Sequence, residues 1–462
     1  MHGSSYYFPV IFARHSTLGE WRSRTTFVLA LSAAAVGLGN LWRFSYLTGE
    51  QGGAPFVIAY VLCLFLVAVP VMVAEILVGS HGRGSPVAAL RLASDRSLRS
   101  RNWALLGLLA CLTGLLILSY YSVVAGWGIA YARFMQSGLF SAASATLVGE
   151  QFERFLGNPA QQIYWQTLFL LLTVTFVGLG VRRGLGLLVW FAVPALMAML
   201  GVLIKFGFDN GDIAAAREFL FSVKLLDFTP QSMLVALGQA FYTLGVGVGT
   251  GISYGAYSPR QVPIGRSVMA VAVFDTMIAL LAGLAIFPIV FANNMEPAMG
   301  PGLMFVSVPY AFGNILQGEL FGSVFFMLVV VATLGSTVAI MEPIVGTLMQ
   351  QARMARLPAV LLVGLAVWIM GVAVVISISP VGGSAWFGDR HLFGFLDVVT
   401  GELLLPLVAL FTAVFVGWRL RPEILRLELY RESNFFFSLW RFLLRYIAPP
   451  AILLVMLGTV LA

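Results

Sequence analysis

Eleven stretches of predominantly apolar residues follow one another along this chain, most of them about twenty residues or longer, and few folds can hold them. They run over about 25–48, 54–79, 103–133, 163–181, 184–206, 229–256, 266–293, 320–350, 357–379, 393–418 and 436–460. A helix of roughly twenty apolar residues crosses the hydrocarbon core of a bilayer. Within that core each segment must satisfy its own backbone hydrogen bonds, as a helix does and an open sheet does not. Only 10% of the residues are charged, against about 25% in a soluble domain. The expected fold class is an all-α polytopic membrane protein with 11 transmembrane helices, its surface facing lipid. The first apolar stretch leads into a second rather than into a soluble domain, so it is read as an inserted span and not a cleaved signal.

The positive charge is placed as topology charge. Arginines gather at one set of helix ends: Arg14, Arg22 and Arg24, then Arg83, Arg91, Arg96, Arg99 and Arg101, then Arg182 and Arg183. The series continues with Arg260, Arg266, Arg353, Arg356, Arg419, Arg421, Arg426 and Arg431. The opposite ends hold Glu150, Glu153, Asp209, Asp212, Glu218, Asp227, Glu296 and Asp389. Short arginine-bearing loops stay on the cytoplasmic side. The N-terminus is therefore expected in the cytoplasm, the C-terminus outside, and the chain in the plasma (inner) membrane. The net charge of +7 then needs no nucleic-acid partner. Cys63 and Cys111 lie inside apolar stretches, and His2, His15, His81 and His391 show no ligand spacing, so disulfides and metal catalysis find no support. No nucleophile–base pair is evident either, and an enzyme is not expected.

Two outer connections, 134–162 and 294–319, are too long for tight turns. The second carries Gly300-Pro301-Gly302-Leu303-Met304-Phe305-Val306, which reads as a re-entrant or surface-lying lid, or else as an amphipathic loop.

Two helices are interrupted by glycine. The first span reads Ala33-Ala34-Ala35-Val36-Gly37-Leu38-Gly39-Asn40-Leu41-Trp42-Arg43-Phe44, and the sixth contains Gly245-Val246-Gly247-Val248-Gly249. Glycine at alternate positions weakens a helix. Opened backbone at membrane depth is tolerated only where it is buried in protein or lines a cavity. There it offers carbonyls to a cation and amides to an anion. Paired interruptions in two halves of a membrane protein point to a transport site, whereas GxxxG spacing would point to close helix packing.

The string AVGLGNLWRF, Glu75 in the second span and GQAFYTLGVGVG in the sixth resemble the neurotransmitter:sodium symporter family, in its bacterial amino-acid transporter branch. Tyr120-Tyr121, GPGLMFVSVP and LGSTVAIMEP at 334–343 extend the resemblance from Trp21 to the tenth span. It implies a single transporter domain over 1–462, of LeuT-like fold. Five-plus-five inverted repeats would occupy 21–206 and 229–418, with broken helices 1 and 6 and a peripheral eleventh helix at 436–461. A first sodium site would use the Ala35 carbonyl, Asn40, Thr243, Asp275 and the substrate carboxylate. Tyr60 and Gln239 lie in the same neighbourhood. Asp275 would supply the negative charge that chloride-dependent members take from solution, and Ala279 lacks their hydroxyl, so no chloride is expected. A second sodium site would use the carbonyls of Ala33, Val36 and Ala332 and the Ser336 hydroxyl, with Gly335 standing where the family carries another side-chain oxygen.

The substrate pocket implied by the resemblance holds a carboxylate on the amides of Leu38 and Gly39 and on the Tyr121 hydroxyl. Ile117, Tyr242, Gly245, Val248, Ser336 and Ile340 would surround the side chain, with Ala35 and Thr243 also in the pocket. Gly37 stands where monoamine transporters carry Asp, which favours an α-amino acid. Gly245 and Val248 favour a neutral, bulky hydrophobic one. Arg43 and Asp397 would close the outer side with Tyr121 and Tyr242, and Trp21 and Tyr257 the inner side. Leu18 and Gln350 occupy the positions of the family's inner ion pair, for which Arg14, Arg22 or Arg24 would substitute. Gly184 and Pro194 make the fifth span either a helix that unwinds or a plain kink. The expected activity is sodium-coupled symport of an amino acid by a functional monomer. Gly335 and Glu402 keep a proton-coupled or sodium-independent exchanger open as the alternative.

Overall fold

The structure is a computed structural model that describes residues 16, 18–224, 226–259, 262–294, 302–379 and 391–461. Among the described residues, eight single helices are long and apolar enough to cross a membrane: Ala54–Gly82, Arg101–Gln136, Val181–Asn210, Ile264–Ala292, Gly318–Gln351, Arg356–Ile378, Leu392–Arg419 and Asn434–Gly458. A bent pair, Arg24–Ala35 and Gly39–Glu50, turns by 65° at its break. Two of the expected spans fall outside these. Pro159–Gly178 is a 20-residue helix whose apolar character is diluted by Gln162 and Gln166, both buried. The sixth span is divided into Pro230–Leu244 and Thr250–Ala256.

Each break follows from local chemistry. After Ala35 the chain leaves the helix at Val36, which is extended at φ −72° and ψ 119°. In the other break, Gly245, Gly247 and Gly249 take φ of 61°, 98° and 75°. That left-handed path is open to glycine and strained for most side chains. The Gly247 amide, freed from helical bonding, donates to the buried Glu75 carboxylate at 2.9 Å. Glu75 thus satisfies part of the backbone that the glycines release.

Arg101–Gln136 and Gly318–Gln351 pack along much of their length, with Gly128 against Val329 and Val330 and Gly114 against Ile340. Small residues let helices approach closely where lipid offers no hydrophobic drive, and interhelical hydrogen bonds add about 0.6 kcal/mol each. Such bonds join Trp127 to Gln162 at 3.1 Å and Thr173 to Thr337 at 3.2 Å. Exposed Ile58, Leu62, Leu66, Trp190, Phe191, Leu361, Leu365 and Ile369 turn outward, the surface a bilayer would cover.

The two long outer connections fold onto each other. Helices Ala145–Leu156 and Leu303–Gly313 bring Phe152 and Phe305 into a stack at 5.8 Å, against Trp127 and Tyr131. Of the expected lid, Gly302 to Val306 is helical and largely buried, while Gly300 and Pro301 lie outside the described residues.

Candidate functional site

Both breaks meet on Ile264–Ala292, around Asp275. The Asn40 side-chain amide donates to Asp275 Oδ1 at 2.8 Å and to Thr243 Oγ1 at 3.2 Å. Thr243 donates to Asp275 Oδ2 at 2.7 Å, and Tyr60 reaches the same oxygen at 3.4 Å. Asn40 Oδ1 accepts from the Gly37 amide at 3.0 Å, so one side chain ties the first break to the second. Gln239 Nε2 donates to the Gly39 carbonyl at 3.4 Å, while its Oε1 has no partner among the described residues. All of these side chains are buried. A carboxylate at membrane depth is costly and marks an ion or substrate pathway. Three buried oxygen-bearing groups from three elements form a set of hard donors suited to a small cation.

The second expected ion site is assembled from the first break and Gly318–Gln351. Ser336 Oγ donates to the Val36 carbonyl at 2.9 Å and to the Ala332 carbonyl at 3.4 Å. Ala33, Val36 and Ala332 line one small cavity. A Cβ on Gly335 would come within 2.5 Å of the Ala33 carbonyl oxygen. The missing side-chain oxygen therefore coincides with a helix approach that leaves a side chain no room.

Between these two places lies a cavity of about 50 Å³. Its walls include Ala35, Gly39, Ile117, Tyr121, Tyr242, Thr243, Gly245, Val248, Ser336 and Ile340. Leu38 faces instead a larger chamber of about 210 Å³, the outer one in the expected topology, and its amide donates to the Tyr121 hydroxyl at 3.1 Å. The two spaces share Gly39, Tyr121 and Tyr242. A Cβ on Gly37 would sit 2.5 Å from the Tyr121 hydroxyl and 2.8 Å from Ser336 Oγ, so an aspartate there would require repacking. Nothing lies within 4 Å of a Cβ built on Gly245. Leu405 also lines the cavity. No sequence signal distinguished it from its apolar neighbours.

The outer chamber contains Arg43 and Asp397. They form no ion pair with each other among the described residues. Arg43 instead lies over the Tyr242 ring at 5.0 Å. The opposite side is tightly closed. Trp21 donates its amide to the Tyr257 carbonyl at 2.8 Å and its indole to the Tyr254 carbonyl at 3.3 Å, with its ring edge-on to Tyr254. Tyr257 donates to Glu342 at 2.8 Å, and Glu342 is ion-paired with Arg356. Arg356 also reaches the Val177 carbonyl at 2.8 Å.

Glu342 and Arg356 were not singled out in the sequence as a pair. The available signal was an acid inside an apolar stretch, which requires a partner. Leu18 packs near Gly346, and Gln350 accepts from the Ser85 amide at 2.8 Å. Arg22 and Arg24 are exposed, while Arg14 lies outside the described residues. Among the described residues no group of His, Cys, Asp and Glu is arranged to hold a catalytic metal.

Broken helices that meet over buried oxygen donors, with a closure on either side, define a secondary transporter of LeuT-like fold. The profile of the Sodium:neurotransmitter symporter family matches residues 18–145 and 150–462. An uncharacterized sodium-dependent transporter, YhdH, of Bacillus subtilis (strain 168) is 32% identical over 444 residues, 96% of this chain and 97% of its own. Sodium-dependent nutrient amino acid transporter 1 of Drosophila grimshawi is 24% identical, over 86% of this chain and 70% of its own. The crystal structure of MhsT in complex with L-phenylalanine matches with a TM-score of 0.86 and 33% identity, covering 96% of this chain and 99% of that one. The chain belongs to the sodium:neurotransmitter symporter family. It is a multi-pass, sodium-dependent transporter and not an enzyme.

Proposed function

We propose that this protein couples sodium to the inward symport of a neutral, bulky hydrophobic amino acid by alternating access, without chloride. The observation that carries the reading is the buried Asp275, bonded to Asn40 from one broken helix and Thr243 from the other. Sodium would exchange these internal hydrogen bonds for its own contacts with Asn40, Thr243, Asp275 and the Ala35 carbonyl. The substrate carboxylate, at the Leu38 and Gly39 amides and the Tyr121 hydroxyl, would complete the first site. Ion and amino acid then raise each other's affinity, which is the thermodynamic content of coupling. A weaker second site would fall at Ala33, Val36, Ala332 and Ser336, with Gly335 contributing no side chain.

The apolar walls at Ile117, Val248, Ile340 and Leu405 and the L-phenylalanine held by MhsT support a hydrophobic side chain. An aromatic ring exceeds a space of about 50 Å³. Binding would therefore move Tyr242 and Leu405 apart, toward the outer chamber. The two repeats would be 21–206 and 229–418, with 436–461 peripheral. The arginine-rich face would be cytoplasmic, with the N-terminus there and the C-terminus outside the inner membrane, and the transporter would work as a monomer.

The test is uptake of each of the twenty amino acids into proteoliposomes, with external sodium replaced by potassium and chloride by gluconate. Uptake should require sodium and ignore chloride. Asp275→Asn should make it chloride-dependent, because the fixed negative charge is gone. Undiminished uptake in potassium would reject sodium coupling and favour proton coupling or exchange. In that case the half-buried Glu402 is the group to replace first.

A further inference from the structure

On the lipid-facing side, away from the transport path, a groove of about 610 Å³ lies between helices Arg101–Gln136 and Leu392–Arg419. Leu105, Leu108, Leu112 and Phe411 line it and are well exposed. At one end Trp103 packs on Phe415 with centroids 5.0 Å apart. Beyond that aromatic pair, Arg99 donates its Nε to the Arg419 carbonyl at 3.2 Å, which brings the loop before one helix to the end of the other. Arg99, Arg419 and Arg421 are all exposed there. Arg101 is already paired with Asp95 at 2.8 Å, and Glu423 is the acid nearest in sequence to Arg421.

The order along the groove is therefore arginines, an aromatic pair, then leucines. That order matches the depth profile of a phospholipid: charged headgroup, interface, acyl chain. The geometry points to a binding site for one anionic phospholipid, its acyl chain in the leucine groove and its phosphate toward Arg99, Arg419 and Arg421. An apolar groove alone would accept any acyl chain. The three arginines supply the preference for negative charge, since Asp95 is already taken up by Arg101. Because Arg99 also fastens the end of Leu392–Arg419, a headgroup seated there would brace the helix that contributes Leu405 and Asp397 to the transport cavities.

The full-length protein in detergent micelles, given equal amounts of phosphatidylglycerol and phosphatidylcholine of identical chains, tests this by native mass spectrometry. The expected result is one strongly retained copy, with phosphatidylglycerol favoured by about fivefold or more, since each arginine near a surface contributes about a fivefold factor. The triple variant Arg99→Gln, Arg419→Gln, Arg421→Gln should retain lipid but lose the preference. Leu108→Trp, which fills the groove, should remove that copy for both lipids. Arg183→Gln, at an exposed arginine elsewhere on the same face, should change nothing. Equal retention of the two lipids by the unaltered protein would overturn the proposal. So would a preference that survives the triple variant, or one lost equally in Arg183→Gln. Thermal melting of each variant checks that it is folded.

Discussion

The two closures of the transport path are built from different physics. On the Trp21 side, hydrogen bonds of fixed direction, edge-on rings and the buried Glu342–Arg356 pair join the elements directly. On the Arg43 side, a cation rests over the Tyr242 ring beside a chamber of about 210 Å³, and Asp397 stands in the same chamber without pairing. A directional network opens only when several bonds break together. A cation over a ring can slide. The stronger set of contacts in this conformation is therefore on the arginine-rich face, and the other side is held by a weaker contact.

The largest expected effect comes from Glu342→Ala. Removing one partner of a buried ion pair costs about 3–5 kcal/mol, because the other charge is left without compensation. With Cys63 and Cys111 replaced by alanine, labelling of Ser253→Cys, buried in Thr250–Ala256, by a charged thiol reagent should quicken roughly a hundredfold to a few thousandfold, at tenfold per 1.4 kcal/mol. An unchanged rate would mean that the pair does not hold the closure on the Trp21 side. Tyr257→Phe removes a hydrogen bond to a carboxylate, worth about 1.5–3 kcal/mol. The same labelling should rise about tenfold to a hundredfold, and a rise as large as that of Glu342→Ala would show that the tyrosine carries the network. The smallest effect is expected on the other side. Arg43→Gln loses a cation–π contact of about 0.5–1 kcal/mol, so labelling of Val124→Cys in the outer chamber should change by only a few-fold. A hundredfold change there would erase the contrast between the two closures.

The sequence was most legible where chemistry is scarce. Alternating glycines in apolar helices point to a site or to close helix packing, and one aspartate among hydrophobic residues weighs toward a site; Asn40, Thr243 and Asp275 do converge. Ten of the eleven residues expected around the substrate line one cavity. What was harder to read depends on packing. Gln162 and Gln166 find interhelical partners, which hydropathy cannot show, so their helix looks less apolar than its neighbours. Arg356 resembles any topology arginine until the fold brings Glu342 to it. Gly335 looked like the loss of an ion ligand. The structure adds that the Ala33 carbonyl occupies the space a side chain would need.

In the proposed substrate pocket, Gly245 limits how specificity can evolve. Open space lies beside it, yet its backbone sits at φ 61°, where most other side chains are strained. A single mutation that narrows the pocket at this position would meet a penalty unrelated to any clash with substrate. Heritable change in substrate preference is thereby channelled to Val248, Ile340 and Leu405, whose backbones accept replacement more freely. Lineages descending from this sequence should vary there first.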